Sequence, residues 1–311
     1  MGNIAYYYTS LNTLFEIVDK KSLLLTDLTG MNDPEEGSYT PEDFIKDLKE
    51  CKSPDENTKA FVELVLSEVE LNKKKYNELC NLSNATPFAM CFSRLEDSLL
   101  HWERYGDSNK GVCISFNLDK LIELQNPVFH EFLIKEILYT DKKRAMEAGK
   151  GLVDFYNIAY EQINEDQKKD YNKIISDTCL SVLAAQYSTM LYFIKKSYWV
   201  EEQEIRLFYD ENSWEEKLKL MGKIETDTGI SVKSKAEQSY RALGLEETEY
   251  HAFSSIRACK RLNITKVFSS ELIPEIKLGS FCRQNTVVLE RFLKFDGLSN
   301  TKISTSKIKI R

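Results

Sequence analysis

Pro87-Phe-Ala-Met-Cys-Phe-Ser-Arg94 and Lys110-Gly-Val-Cys-Ile-Ser-Phe116 are two short apolar runs on either side of Leu99-Leu-His-Trp-Glu-Arg-Tyr-Gly-Asp107. Both runs are β-prone and too short for a buried helix, so Pro87 to Ser93 and Gly111 to Phe116 read as buried strands. Between them Trp102 and Tyr105 lie three apart, on one face of a helical turn that Gly106 and Asp107 close. Strand, helix and strand in such quick succession predict an α+β fold: a mixed central β-sheet with flanking helices.

The rest of the chain fits around that unit. Ile4 to Tyr8 is aromatic and β-prone, and Ser10 stands as a helix cap before Leu11, Leu14, Phe15 and Val18. Ser22 to Thr26 is a further short apolar run, and Met31-Asn-Asp-Pro-Glu-Glu-Gly37 carries turn chemistry. Thr40 and Pro41 open a helix to about Cys51, and Glu56 to Cys80 reads as one longer amphipathic helix. Phe132 to Thr140 and Glu202 to Tyr209 are expected strands. Between them Asp141 to Lys196 is helical in pattern and contains no proline, which predicts a helical insertion at 141–196. Further on, Glu275 to Leu278 is a strand, Asn285 to Phe295 a helix, and Thr301 to Arg311 an edge strand or a frayed end. With no internal repeat and no Gly/Ser/Pro-rich linker, residues 1–311 are expected to form a single α+β domain.

Composition narrows the function classes. Lys and Arg total 42 against 49 Asp and Glu, a net charge of -7, which argues against an extended nucleic-acid surface. Seven cysteines with no CxxC pair fit neither a disulfide framework nor a zinc ribbon, and point to reduced thiols in a cytoplasm. The N-terminus lacks a basic segment followed by an apolar one. Cys179 to Ile194 is interrupted by Gln186, Ser188 and Thr189 and falls short of the roughly 20 residues a spanning helix needs. The expectation is a cytoplasmic protein without a membrane segment. His101, His130 and His251 have no metal-ligand spacing, and no phosphate-loop, dinucleotide or nucleophile-elbow motif is present, so no metal is expected.

Four stretches carry residue types suited to chemistry. In Trp199-Val-Glu-Glu-Gln-Glu-Ile-Arg-Leu-Phe208 a strand period of two sets Glu202, Glu204 and Arg206 on one face. A carboxylate there can hold a ribose hydroxyl or stabilise an oxocarbenium charge, and the same spacing equally describes an ion-pair stripe. Tyr6-Tyr-Tyr-Thr-Ser10 joins a strand end to a helix N-terminus, an anion and aromatic-ring site or simply core aromatics with a cap. Asn32-Asp33-Pro34-Glu35-Glu36 is a capped acidic turn or a ligand-facing loop. Ser93 and Arg94 end a strand at which a pocket can open, whereas Trp102 and Tyr105 read as packing for their helical turn. His101 lacks a nucleophile to serve as base.

Taken in order, Tyr8-Thr9-Ser10, Met31-Asn32-Asp33-Pro34-x-Glu36, Cys91-Phe92-Ser93, Trp102-x-x-Tyr105-Gly106-Asp107, Gly111-Val112-Cys113-Ile114-x-Phe116 and Trp199-x-x-Glu202-x-Glu204-x-Arg206 resemble the bacterial family called domain of unknown function 2971. The likeness runs on to Ile276-Lys-Leu-Gly279 and the helix after it. It implies a cytoplasmic protein met alongside phage-defence and abortive-infection genes, with a defence-system partner. The motif order is also similar to the ADP-ribosyltransferase superfamily. That likeness implies NAD as the cofactor, with Tyr7, Thr9, Ser10, Asn32, Asp33, Trp102 and Tyr105 at the nucleotide, Ser93 beside the ribose and Glu204 as the catalytic acid. Glu202 and Arg206 would assist, and the acceptor would be a macromolecule or water. The chain departs from the family in having Tyr7 where many relatives carry histidine. The transferase scheme requires Tyr7, Ser93 and Glu204 to line one cleft, and it is dropped if they lie on different faces. Its rivals are a nucleotide-sensing module without catalysis and a Mg²⁺-dependent nuclease on Asp33, Glu36, Glu202 and Glu204.

Overall fold

A computed structural model describes residues 3–28, 38–50, 56–82, 87–127, 130–150, 190–212 and 233–308 apart from 253–254, with shorter stretches between 180 and 231. The chain divides into two compact units, one of Met1–Gly30, Thr86–Glu136 and Glu201–Arg311, the other of Met31–Ala85 and Ile137–Val200.

Among the described residues the first unit holds a ten-stranded sheet. Its strands are β1 (Ile4–Thr9), β2 (Ser22–Asp27), β3 (Pro87–Ser93), β4 (Val112–Asn117), β5 (Leu133–Glu136), β6 (Glu204–Asp210), β7 (Thr248–Ala252), β8 (Ile256–Asn263), β9 (Glu275–Leu278) and β10 (Lys302–Thr305). They run in the order β10-β9-β4-β1-β3-β2-β8-β7, with β6 on β3 and β5 on β6. Among the described strands pairings are antiparallel except β9 with β10, so the sheet is mixed as expected, and Lys302–Thr305 of the tail form an edge strand. Among the helices of this unit are α1 (Leu11–Lys20), α5 (Leu99–Arg104), α6 (Leu118–Ile122), α7 (Lys233–Leu243) and α8 (Thr286–Phe295). The second unit contributes α2 (Pro41–Glu50), α3 (Glu56–Leu71) and α4 (Lys73–Leu82).

Alternation along the strands gives the sheet two unlike faces. Phe88, Met90 and Phe92 of β3, Ile205, Leu207 and Tyr209 of β6, and Ile114 and Phe116 of β4 share one apolar core with Leu14, Ile17 and Val18 of α1 and Leu289 and Leu293 of α8. The opposite face is polar. There the register sets Glu275 beside Ser115, Ser115 beside Tyr6, Tyr6 beside Ser93, and Ser93 beside Glu204, a row across five strands. The next row places Lys277 beside Cys113, Cys113 beside Tyr8, and Cys91 beside Arg206.

One end of the sheet is held by close backbone approach. Asp107, Ser108 and Asn109 all have left-handed φ of 51°, 51° and 66°, and a Cβ on Gly111 would stand 2.1 Å from the Thr9 carbonyl. A Cβ on Gly279 would lie 2.2 Å from the Asn109 carbonyl, so only glycine fits at either position.

The second unit is helical. Phe44 and Leu48 of α2, Val65 and Val69 of α3, Tyr76 of α4, Ala148, Leu183 and Tyr187 form its apolar core. The helix expected over 56–80 is divided at Asn72 into α3 and α4, and the backbone bonds from the Asn72 N–H to Glu68 and from the Tyr76 N–H to Asn72 carry across the division. Of the insertion expected at 141–196, residues 141–150 and the described positions at 180–191 lie in helix or its closing turn, while 151–179 lie outside the described residues. Among the described residues no helix is long and apolar enough to cross a membrane.

Candidate functional site

The polar face of the first unit gathers its chemistry where β3 ends and β6 begins. Ser93 is the register partner of Glu204. Its Oγ donates to the Glu202 carbonyl at 2.7 Å and accepts from the Leu95 N–H at 3.1 Å, while the Arg94 N–H donates to the Gln203 carbonyl. Both backbone ends are thereby tied, which fixes where the Glu202 and Glu204 side chains start.

Glu202 does not continue the strand. It closes a 3₁₀ turn at Ser197–Glu202, and Gln203 then takes a left-handed φ of 43°, so β6 starts at Glu204. The period-two reading therefore holds for Glu204 and Arg206 and is corrected for Glu202, which arrives by the turn. Its carboxylate is buried and accepts from the Tyr105 hydroxyl at 2.6 Å, with the Arg104 guanidinium 3.7 Å away. Arg206 donates from Nε to Glu204 at 2.5 Å, and both side chains are sealed from solvent at 0% and 6% exposure. A charge-assisted bond of this kind is strong only because each group has lost its water.

His101 belongs to the same corner. It is buried, its Nδ1 lies 2.9 Å from the Ser98 hydroxyl, and its ring stands 5.0 Å from Tyr8 and 5.9 Å from Tyr105. Burial lowers its pKa below the ordinary 6.5, against the opposing pull of the Glu202 charge and a hydrogen bond to the Glu202 backbone. The structure adds Arg104 and His101 to the binding residues expected from the sequence. The signal was available: on a helix, positions 101, 104 and 105 share one face, so His101 and Arg104 accompany Tyr105.

The other expected residues separate. Tyr7 points into the apolar core, edge-on to Phe92 at 6.0 Å, and burial pushes its hydroxyl pKa up. Thr9 alternates with Tyr8 onto that same side. Tyr7 and Thr9 therefore cannot line a cleft with Ser93 and Glu204, and the scheme that joined them is corrected here. Ser10 caps α1, its Oγ accepting from the Thr13 N–H. Trp102 is fully buried, donates to Asp97 at 2.6 Å and packs edge-on against Tyr8, so its role is the packing one. Asn32, Asp33 and Glu36 lie outside the described residues. Among the described residues no group of three His, Cys, Asp or Glu side chains is placed to hold a metal ion.

Residues 101–207 match the family described as "Protein of unknown function (DUF2971)". The DUF2971 match covers about a third of the chain and takes in His101, Trp102, Arg104, Tyr105, Glu202, Glu204 and Arg206. It bears out the resemblance over the segment that supplies most of this corner, while Tyr7 to Ser10 and Ser93 lie before it. No curated protein and no solved structure matches the chain.

Proposed function

We propose that this protein recognises a nucleotide at the Glu202 corner and does not cleave it. One observation carries the reading: a buried carboxylate is covered by two side chains that themselves face solvent, Tyr105 at 40% and Arg104 at 46% exposure. Moving the Tyr105 hydroxyl off Glu202 gives a nucleoside what it needs. The carboxylate accepts from ribose hydroxyls, the phenol ring offers a face to a base, and the guanidinium meets a phosphate. NAD is the first ligand to try, because the ADP-ribosyltransferase likeness brings it. Catalysis by Glu204 is set aside, since Tyr7 and Thr9 face the core and Glu204 is bound to Arg206. A cytoplasmic sensor that passes its state to a defence-system partner belongs to the same proposal.

Calorimetry of the full chain against NAD, ADP-ribose, AMP and nicotinamide tests it. Ribose-containing ligands should bind and nicotinamide alone should not. Tyr105→Ala and Glu202→Gln should each weaken binding about tenfold or more, a loss of about 1.4 kcal/mol. Absence of binding by every nucleotide at millimolar concentration overturns the proposal. Release of nicotinamide from NAD in the same samples would restore catalysis, with Ser93 and Glu204 at its centre.

A further inference from the structure

The second unit contains a cleft of about 90 Å³ lined by Ser38, Tyr39, Asp43, Arg144, Ile194, Lys195 and Lys196. A water takes about 30 Å³ of liquid and drug-sized sites run to about 300 Å³ or more, so the space suits a few waters or one tetrahedral oxyanion and is too small for a nucleoside. Three cations stand around it against one carboxylate.

That carboxylate is already engaged. Asp43 accepts from the Thr40 N–H at 3.0 Å and the Thr40 hydroxyl at 2.8 Å, and its own N–H donates to Thr40 Oγ1, closing the first turn of α2. Burial raises its pKa, but the Thr40 bonds and the charges of Arg144 and Lys196 bring it below the ordinary 3.8. Arg144 is held from behind. Its Nε donates to the buried Asp47 at 3.1 Å, Nη2 pairs with Asp141, and the Tyr39 hydroxyl also donates to Asp47 at 2.6 Å. The guanidinium lies 5.7 Å over the Tyr39 ring, and Lys195 lies 5.4 Å over the Trp199 ring. A guanidinium clamped by a buried carboxylate loses little freedom when it meets an anion, the condition under which binding is strongest for its size.

We infer that this cleft binds a phosphate group, held by Arg144, Lys195 and Lys196. The group can be free phosphate or the phosphate of a larger molecule whose remainder stays outside. Titration of the full chain at low salt with inorganic phosphate and with phenyl phosphate, an ester without the ribose expected at the Glu202 corner, distinguishes the sources. Equal binding of the two points to the free ion, and tighter phenyl phosphate points to an ester. The double substitution Lys195→Gln with Lys196→Gln leaves Arg144 and its aspartates in place, so the fold should persist by circular dichroism. Inorganic phosphate affinity should drop about tenfold or more. Lys294→Gln on α8 removes equal surface charge per site and should change nothing. Failure of phosphate to bind at about 10 mM, or equal affinity in the double variant, overturns the inference.

Discussion

Each unit contains an arginine clamped by a buried aspartate or glutamate, and the two differ in what they leave open. In the sheet unit Glu204 and Arg206 lie two residues apart on one strand and are both sealed. In the helical unit Asp47 is sealed at 3% exposure while its partner Arg144 keeps 19% and lines a cleft. A guanidinium closed on every side supports the sheet, whereas one clamped from behind and open in front is set up to bind. The lesson is that an Arg–carboxylate pair is read by its open edge more than by its distance.

Breaking the sealed pair should have the largest effect. Glu204→Gln leaves the Arg206 charge buried beside a neutral amide, an expected loss of about 3–5 kcal/mol in chemical denaturation. Replacing Glu204 and Arg206 together by methionine should restore most of it, because both buried charges are then removed. A Glu204→Gln protein as stable as the parent would show that the pair is hydrated, and would erase the contrast with Arg144. Asp47→Asn should cost less, about 2 kcal/mol, since Arg144 keeps Asp141 and solvent contact and Tyr39 keeps a carbonyl to donate to. Equal losses for the two substitutions would mean that the cleft edge of Arg144 matters little.

The two pairs also differ in how far the sequence discloses them. Glu204 and Arg206 share a face by the period of a strand, so their meeting follows from spacing alone. The partners of the helical pair are 97 residues apart, and no local pattern joins α2 to the residues after Thr140. Strands at Pro87–Ser93 and Glu275–Leu278 and the cap at Ser10 are legible because short apolar runs and a capping side chain are local signals. Tyr7 was misplaced for the converse reason. Alternation separates Tyr6 and Tyr8 from Tyr7, but which set faces the core depends on the register with β4 and β3. Glu202 was misassigned because nothing in Glu-Gln-Glu announces a left-handed Gln203.

Acid should separate the sealed corner from its surroundings. The folded state keeps His101 neutral below the pH at which the unfolded chain protonates it, so unfolded chains bind more protons there. Stability should therefore decline as pH drops below about 6.5 and level off once the folded histidine also charges. His101→Asn should flatten that segment of a pH series of melting curves. A slope of the opposite sign would mean that the Glu202 charge outweighs burial.

A third pair completes the series from sealed to exposed. On the β7–β8 hairpin Arg261 meets Glu249 through two bonds of 2.7 and 2.6 Å, with side chains 22% and 35% exposed. Water already solvates both groups, so Arg261→Lys, which keeps the charge and loses the fork, should cost under about 1 kcal/mol. Its signature is in pH. The Arg261 hydrogen bonds bring the Glu249 pKa from the ordinary 4.5 to about 2, with His251 helping and burial opposing. This contribution is present in full above pH 4.5 and disappears as pH falls through about 2, because a depressed carboxylate must be protonated to be lost. An NMR titration of Glu249 in the parent and in Arg261→Lys measures it directly: the midpoint should rise towards 4.5 in the variant. An unmoved midpoint would assign the depression to His251, and exposure alone would then no longer order the three pairs.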